Sequence, residues 1–212
     1  MKYYLIIALI GYLFGCSNLA FFLSKARGFD IRERGSNNAG ASNATVTMGL
    51  MVGFLVGLHD VAKAFIAALF ATYLFPEVPE AAVVAGAAAV IGHIFPFYLK
   101  FQGGKGLASL VGRILAWDWK FGILLMLAIL LITLISDYIV LGTLTAVVVF
   151  PIYLTISHAP PLAIGVICCT SVIMFLKHRI NIKRLFSGEE IGLRRALSKQ
   201  DKVPTYPQKG KS

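Results

Sequence analysis

Gly92-His93-Ile94-Phe95-Pro96-Phe97-Tyr98-Leu99-Lys100-Phe101-Gln102-Gly103-Gly104-Lys105-Gly106-Leu107-Ala108-Ser109 ends an apolar run of membrane length in a loop of three glycines around one lysine. Glycine lets backbone N–H groups approach an anion closely, and Lys105 adds a compact positive charge. A helix starting at Leu107 would aim its positive end at the same point. The stretch predicts membrane helices on both sides of a loop that holds a phosphate at the membrane surface. It is not a Walker A loop, because Gly106 stands where Ser or Thr should follow the lysine, and this argues against a nucleotide triphosphatase. Read without its surroundings, the loop is equally a turn whose lysine meets lipid headgroups.

Outward from this stretch, apolar runs recur at 4–25, 46–75, 81–100, 107–117, 120–135, 139–157 and 161–176. With 58% hydrophobic and only 14% charged residues among 212, the chain reads as an all-α, polytopic membrane bundle of about seven transmembrane helices. Period-2 alternation is missing, which disfavours a β-barrel. The second run is too long for one upright span and is expected to be tilted, kinked or partly interfacial. The polar Cys16-Ser17-Asn18 interruption and the basic loop beyond it fit a retained first helix better than a cleaved signal.

Lys and Arg alternate between the turns. Arg27, Arg32 and Arg34 follow the first run, Lys100 and Lys105 the third, and Lys177, Arg179, Lys183 and Arg184 the last. The turns around Glu77 and His158 carry none. The positive-inside rule therefore puts the N-terminus outside and the C-terminus in the cytoplasm. Residues 1–193 are expected to form the membrane domain and 194–212 a basic, flexible cytoplasmic tail. The net charge of +10 is explained by these loops and by anionic lipid, without nucleic acid, whose binding would call for aromatics interleaved with a basic face. Cys16, Cys168 and Cys169 lie in apolar runs without metal-ligand spacing and read as buried small hydrophobes.

Four polar clusters break the apolar background, all on the side assigned as cytoplasmic. Asp30–Asn43 offers Ser36, Asn38 and Asn43 in a glycine-rich loop suited to polyol or phosphate oxygens, or simply to capping a helix. The stretch already quoted adds His93, a candidate base, phosphate ligand or satisfied helix-end histidine. Ser136-Asp137-Tyr138, with Thr143 beyond it, reads alone as an interfacial anchor. In the fourth, Lys177–Leu185 with Gly188 to Glu190, His178 and Asn181 share a helix face at i, i+3. Asp60 and Lys63 interrupt the second run at the same spacing, as a structural ion pair or as part of a substrate cavity.

In this order the clusters resemble the bacterial acyl-phosphate:glycerol-3-phosphate acyltransferases, integral membrane enzymes that begin phosphatidic acid synthesis. The likeness runs from Gly15 to about Glu190. Asp30-Ile31-Arg32 with Gly35-Ser36-Asn37-Asn38-Ala39-Gly40-Ala41-Ser42-Asn43 is similar to the first family motif, and Asp60 with Lys63 to the family's Asp-x-x-Lys. Gly92–Pro96 and Phe101–Gly106 meet the second motif in full. Lys177-His178-Arg179, Asn181, Arg184-Leu185, Gly188 and Glu190 match the tail motif.

The resemblance implies acyl transfer from a fatty acyl-phosphate to the primary hydroxyl of glycerol 3-phosphate, at the cytoplasmic face of a bacterial cell membrane. It implies His93, Lys105 and His178 as catalytic residues. Ser36, Asn38, Asn43, Gly103, Gly104, Gly106, Thr143, Asn181 and Glu190 would bind substrate. No cofactor or metal is expected. Membrane lipid and other enzymes of phospholipid synthesis are the expected partners. The His-x4-Asp dyad of the other glycerol phosphate acyltransferase class is missing, since Tyr98 and Lys183 stand five residues after His93 and His178.

Departures from the pattern are Asn37 for a glycine, Ser42 for a threonine, Val46 for a basic residue, Asp137 where a basic residue is common, and Val140 for a serine. Loss of a guanidinium at position 46 would weaken a phosphate grip by about 2–4 kcal/mol if uncompensated. A divergent paralogue that partners or regulates lipid synthesis is therefore a second reading. A transporter is a third, against which no inverted repeat is visible.

Overall fold

A computed structural model describes residues 2–197. The described residues form ten α-helices, α1 (Lys2–Cys16), α2 (Leu19–Ala26), α3 (Ala41–Met48), α4 (Leu50–Leu74), α5 (Ala81–Ile94), α6 (Leu107–Trp117), α7 (Trp119–Ser136), α8 (Ile139–Ile156), α9 (Pro161–Phe186) and α10 (Leu193–Leu197), with short 3-10 turns at Ile31–Glu33 and Phe97–Leu99. Six segments are long and apolar enough to cross a membrane: Tyr3–Ala26, Leu50–Leu74, Ala81–Leu99, Trp119–Ser136, Ile139–Ile156 and Pro161–Phe186. The helical membrane architecture expected from the sequence is what the chain adopts.

Two boundaries differ from expectation. The run 46–75 is two helices, because Gly49 between α3 and α4 has φ +98, a conformation that glycine adopts without steric cost. The first run is likewise broken at Ser17-Asn18. There the Asn18 carboxamide oxygen accepts from Phe21 N–H at 2.9 Å, capping α2, while its NH2 donates to the Ala39 carbonyl at 3.0 Å. The interruption thus anchors the polar loop that follows. The tail expected from 194 begins as α10 and, beyond 197, lies outside the described residues.

The helix ends sort into two levels. At one, Tyr4 donates to Glu80 and Tyr153 to Asp118, which also caps α7. At the other lie the polar loops. α6 joins the two levels although it has 11 residues, about 16 Å of helix. It is short because the chain after α5 folds back into the bundle. Gly103 N–H donates to the Ile94 carbonyl and Gly104 N–H to the His93 carbonyl, and Gly106 packs on Val90 and Ile94. Non-helical backbone at such depth is tolerated where protein buries it.

Packing relies on small residues, as expected where lipid tails compete with side chains. α1 and α5 run parallel, with Gly11 and Gly15 set against the backbones of Ala85 and Ala89. A larger core of Val90, Ile94, Leu110, Ile114, Phe150, Ile167 and Met174 joins α5, α6, α8 and α9. Cys16 is buried, but Cys168 and Cys169 face outward on α9, so two of the three cysteines are not core residues.

One residue that hydropathy did not single out lies in this core. Arg113 of α6 is 2% exposed and passes Gly86, and its guanidinium sits 5.1 Å from the Phe150 ring. Among the described residues none of its three guanidinium nitrogens has a hydrogen-bond partner. A buried unpaired charge is expensive, and the ring offsets only part of the cost. Arg113→Met, similar in volume, is expected to stabilise the protein by about 1–4 kcal/mol, read as a higher melting temperature in detergent. A lower one would mean that an anion accompanies the guanidinium.

Candidate active site

The loop between α2 and α3 is shaped by its own side chains. Asp30 accepts from Arg32 Nε at 3.0 Å and Nη2 at 2.7 Å, and Arg32 Nη1 donates to the Leu99 carbonyl at 2.8 Å. The Arg32 guanidinium holds the Asp30 carboxyl well below the usual carboxylate range. Arg32 thereby pins this loop to the turn after α5.

Asn43 is fully buried. Its NH2 group lies 3.0, 3.0 and 2.7 Å from the Ile31, Arg34 and Asn38 carbonyls, and its oxygen accepts from Ser36 N–H at 2.8 Å. Its amide organises the loop. Ser36 Oγ and the Asn38 carboxamide, 2.7 Å apart, are the half-buried polar groups of the same turn. Asn37 stands at φ +57, where glycine is favoured and asparagine tolerated. The departure from glycine there is conformational.

This loop meets the glycine loop directly: Ala39 N–H donates to the Gly103 carbonyl at 3.3 Å, and Gly40 faces the Gly104 Cα. The glycines at 103 and 104 do not offer their N–H groups outward, as the sequence suggested, because both are bonded to the end of α5. What remains for an anion is Lys105, Gly106 and the first turn of α6. Gly104 is required for another reason. A Cβ at that position would overlap His93 Nε2.

His93 rests on a buried network. Lys63 Nζ lies 2.9 Å from His93 Nδ1, 2.8 Å from Asp60 Oδ1 and 2.6 Å from the Ser17 carbonyl. His59 extends it, 3.5 Å from Asp60 through Nδ1 and 2.9 Å from Ser17 Oγ through Nε2. Asp60 and Lys63 are therefore the ion pair of the two alternatives, and they sit directly behind the glycine loop. Ser17 and His59 belong to the same network. The interruption of the first apolar run was the one signal for Ser17, and none marked its pairing with α4.

On the other side of the loop stand residues of α9 and the segment after it. His178 and Asn181 are both buried on one face, as their spacing required. Asn181 Nδ2 donates to Glu190 Oε1 at 2.6 Å, and Glu190 Oε2 is buried without a hydrogen-bond partner among the described residues. Burial lowers Lys105 to about 8, with Glu190 acting to raise it and Arg184 to lower it further. Among the described residues no carboxylate lies within ion-pair distance of the Lys105 ammonium. In the sequence Arg184 stands out only as part of the basic run and the tail motif, with no role at Lys105 assigned to it.

Thr143 donates to the Ile139 carbonyl within α8, and Val140 beside it is buried. Asp137 has a defined part instead of a basic residue's. At φ +70 it accepts Leu193 N–H on its carbonyl at 2.6 Å and Arg194 N–H on its carboxylate at 2.8 Å, holding the start of α10. Beside the site a groove of about 370 Å3 opens between the end of α5 and α9. It is lined by Phe95, Ile173, Leu176, Lys177, Arg179 and Ile180, with the Lys177 ammonium 4.3 Å over the Phe95 ring.

Known proteins are similar to this chain in sequence and fold. The family model described as glycerol-3-phosphate acyltransferase matches residues 5–188. A glycerol-3-phosphate acyltransferase of Mesorhizobium japonicum is 38% identical over 90% of this chain and 96% of its own. Glycerol-3-phosphate acyltransferase 1 of Oceanobacillus iheyensis is 34% identical over 93% and 99%. The crystal structure of PlsY, an integral membrane glycerol 3-phosphate acyltransferase, in its glycerol 3-phosphate form superposes with a TM-score of 0.83 at 31% identity, covering 89% of this chain and 94% of that one. Its lysophosphatidic acid form gives 0.80 at 30% identity, covering 92% and 98%.

Proposed function

We propose the following function on one premise: the chain belongs to the glycerol-3-phosphate acyltransferase family. It is a multi-pass membrane enzyme that acylates glycerol 3-phosphate to lysophosphatidic acid, with acyl-phosphate as donor. The primary hydroxyl attacks the acyl carbon, the carbon–oxygen bond to phosphate breaks, and the hydroxyl proton ends on the departing inorganic phosphate.

The observation that carries the site assignment is Lys105, a half-buried ammonium with no carboxylate in ion-pair reach among the described residues. Both substrates bring a phosphate that would complete it. Lys105 and the first-turn N–H groups of α6 stabilise charge that develops on the acyl-phosphate. Ser36, Asn38, His178 and Asn181 orient the polyol phosphate, turning an encounter into a positioned attack. Asn43 and Gly104 hold the two loops in shape. The apolar groove at Phe95 and Ile173 receives the acyl chain, with Lys177 and Arg179 at its mouth. Arg184 places a second positive charge near Lys105. Residues 1–193 act as one membrane domain, with the site on the cytoplasmic side.

The test is the purified protein with glycerol 3-phosphate and either acyl-phosphate or acyl-CoA. Lysophosphatidic acid and inorganic phosphate should form from the first donor only. No product from either would favour the non-catalytic paralogue. For the sidedness, single cysteines at positions 36 and 77 in a cysteine-free protein meet an impermeant thiol reagent in intact cells. Position 77 should label and position 36 should not. The reverse would put the site on the outer face.

A further inference from the structure

We infer that the two buried histidines of the site are locked in opposite tautomers: His93 presents an Nε2–H donor to the anion at the glycine loop, and His178 presents an Nε2 lone pair to a substrate hydroxyl. The identity of the ligands rests on the acyltransferase reading above, whereas the tautomers rest on geometry alone.

His178 Nδ1 lies 2.8 Å from the Met174 carbonyl oxygen, one turn back in α9. A carbonyl only accepts, so the proton sits on Nδ1 and Nε2 keeps its lone pair. That lone pair, with Lys105 near the ring, is an acceptor and takes an O–H.

At His93 the polarity reverses. The Lys63 ammonium has three N–H donors and no acceptor; it is hydrogen-bonded to the Ser17 carbonyl at 2.6 Å and to His93 Nδ1 at 2.9 Å, and Asp60 Oδ1 at 2.8 Å is an ion-pair contact without hydrogen-bond geometry. Nδ1 is therefore the acceptor, and the proton of the neutral ring sits on Nε2, against Gly104. Asp60 lies 3.3 Å from the same Nδ1 and would draw a proton there instead. The Lys63 contact is the shorter, and a proton on Nδ1 would face the ammonium and leave one of its donors without an acceptor. Charge agrees. Asp60 and Lys63 cancel when His93 is neutral, whereas a second proton on the ring would leave net charge in a buried cluster.

Each ring thus reads one end of the ligand. His93 meets only acceptors, which phosphate oxygens are, and His178 meets only donors, which the glycerol hydroxyls are. Lys63 is the positioning residue, acting on the substrate through His93.

The test is the nitrogen-15 spectrum of full-length protein labelled at histidine, with signals assigned by their loss in His93→Gln and His178→Gln. His93 should carry its proton on Nε2 and His178 on Nδ1, and Lys63→Met should move the signals of His93, and of His59 in the same network, while leaving those of His178 in place. In the acyl-phosphate assay, His93→Gln can donate but cannot act as a base, and it should stay within about tenfold of wild type. His93→Leu should lose about 100- to 1,000-fold. A proton on His93 Nδ1, one tautomer for both rings, or a Gln variant as inactive as Leu would overturn the inference. A wild-type protein with the expected spectrum but no acyltransferase activity would sink the functional reading and the ligand assignments with it, while the tautomers would stand.

Discussion

Lys105→Ala lowers kcat/KM for acyl transfer by about 100- to 1,000-fold while the helical fold persists, the size of effect that follows from losing one charge-stabilising contact in a transition state. The loop that carries Lys105 is held by backbone bonds from Gly103 and Gly104 to the end of α5, none of which involve the lysine side chain. Melting temperature in detergent should therefore stay near wild type. Burial places Lys105 at about 8, so the ammonium is present below that value and is lost as pH rises through it. For the free enzyme, kcat/KM should fall about tenfold per pH unit above about 8. Bound phosphate raises the lysine, so the fall in kcat should come at higher pH. Lys105→Arg stays charged and should lack the fall at both. Near wild-type activity in folded Lys105→Ala, with a flat profile to alkaline pH, would end the argument that this ammonium grips the reacting phosphate.

Asp60→Ala should be the most destabilising single change in the membrane core. Asp60 is 1% exposed and Lys63 5%, so removing the carboxylate leaves a buried ammonium without its counter-charge. The expected loss is about 3–5 kcal/mol. Replacing both partners, Asp60→Leu with Lys63→Met, should recover much of it, because a neutral apolar pair needs no compensation. The double variant should nevertheless stay poorly active, since His93 would have lost what orients it. If the single and double variants melt alike, the pair contributes nothing beyond packing.

How much of this could be read from the chain depends on the kind of signal. Hydropathy and loop charge place the helices, because crossing a bilayer requires about twenty apolar residues whatever their neighbours. The break at Gly49 is invisible to that signal, since glycine between Met48 and Leu50 also sits comfortably in an apolar run; the positive φ that ends α3 is a tertiary choice. The glycine loop was legible as a special backbone, but the destination of its N–H groups was not. Sequence could not say that the chain re-enters and gives two of them to His93 and Ile94. Likewise Asn37 and Asp137 look like altered chemistry in a motif. In the fold one satisfies a left-handed backbone and the other holds α10. The Asp60–Lys63 spacing announced a pair. Its position behind His93 depends on how α4 and α5 pack.

The parallel pairing of α1 with α5 also imposes an order in time. Gly11 and Gly15 emerge from the ribosome long before their partners, since Ala85 is made 74 residues after Gly11. At about 5–20 residues per second that is a wait of roughly 4–15 s. During that interval the glycine face of α1 is open to lipid and to any other inserted helix with small residues along one side. Deepening the grooves at Ala85 and Ala89 cannot shorten it. An added residue at Gly11 or Gly15 would therefore act first on assembly yield in the cell, and only afterwards on the stability of whatever protein is recovered.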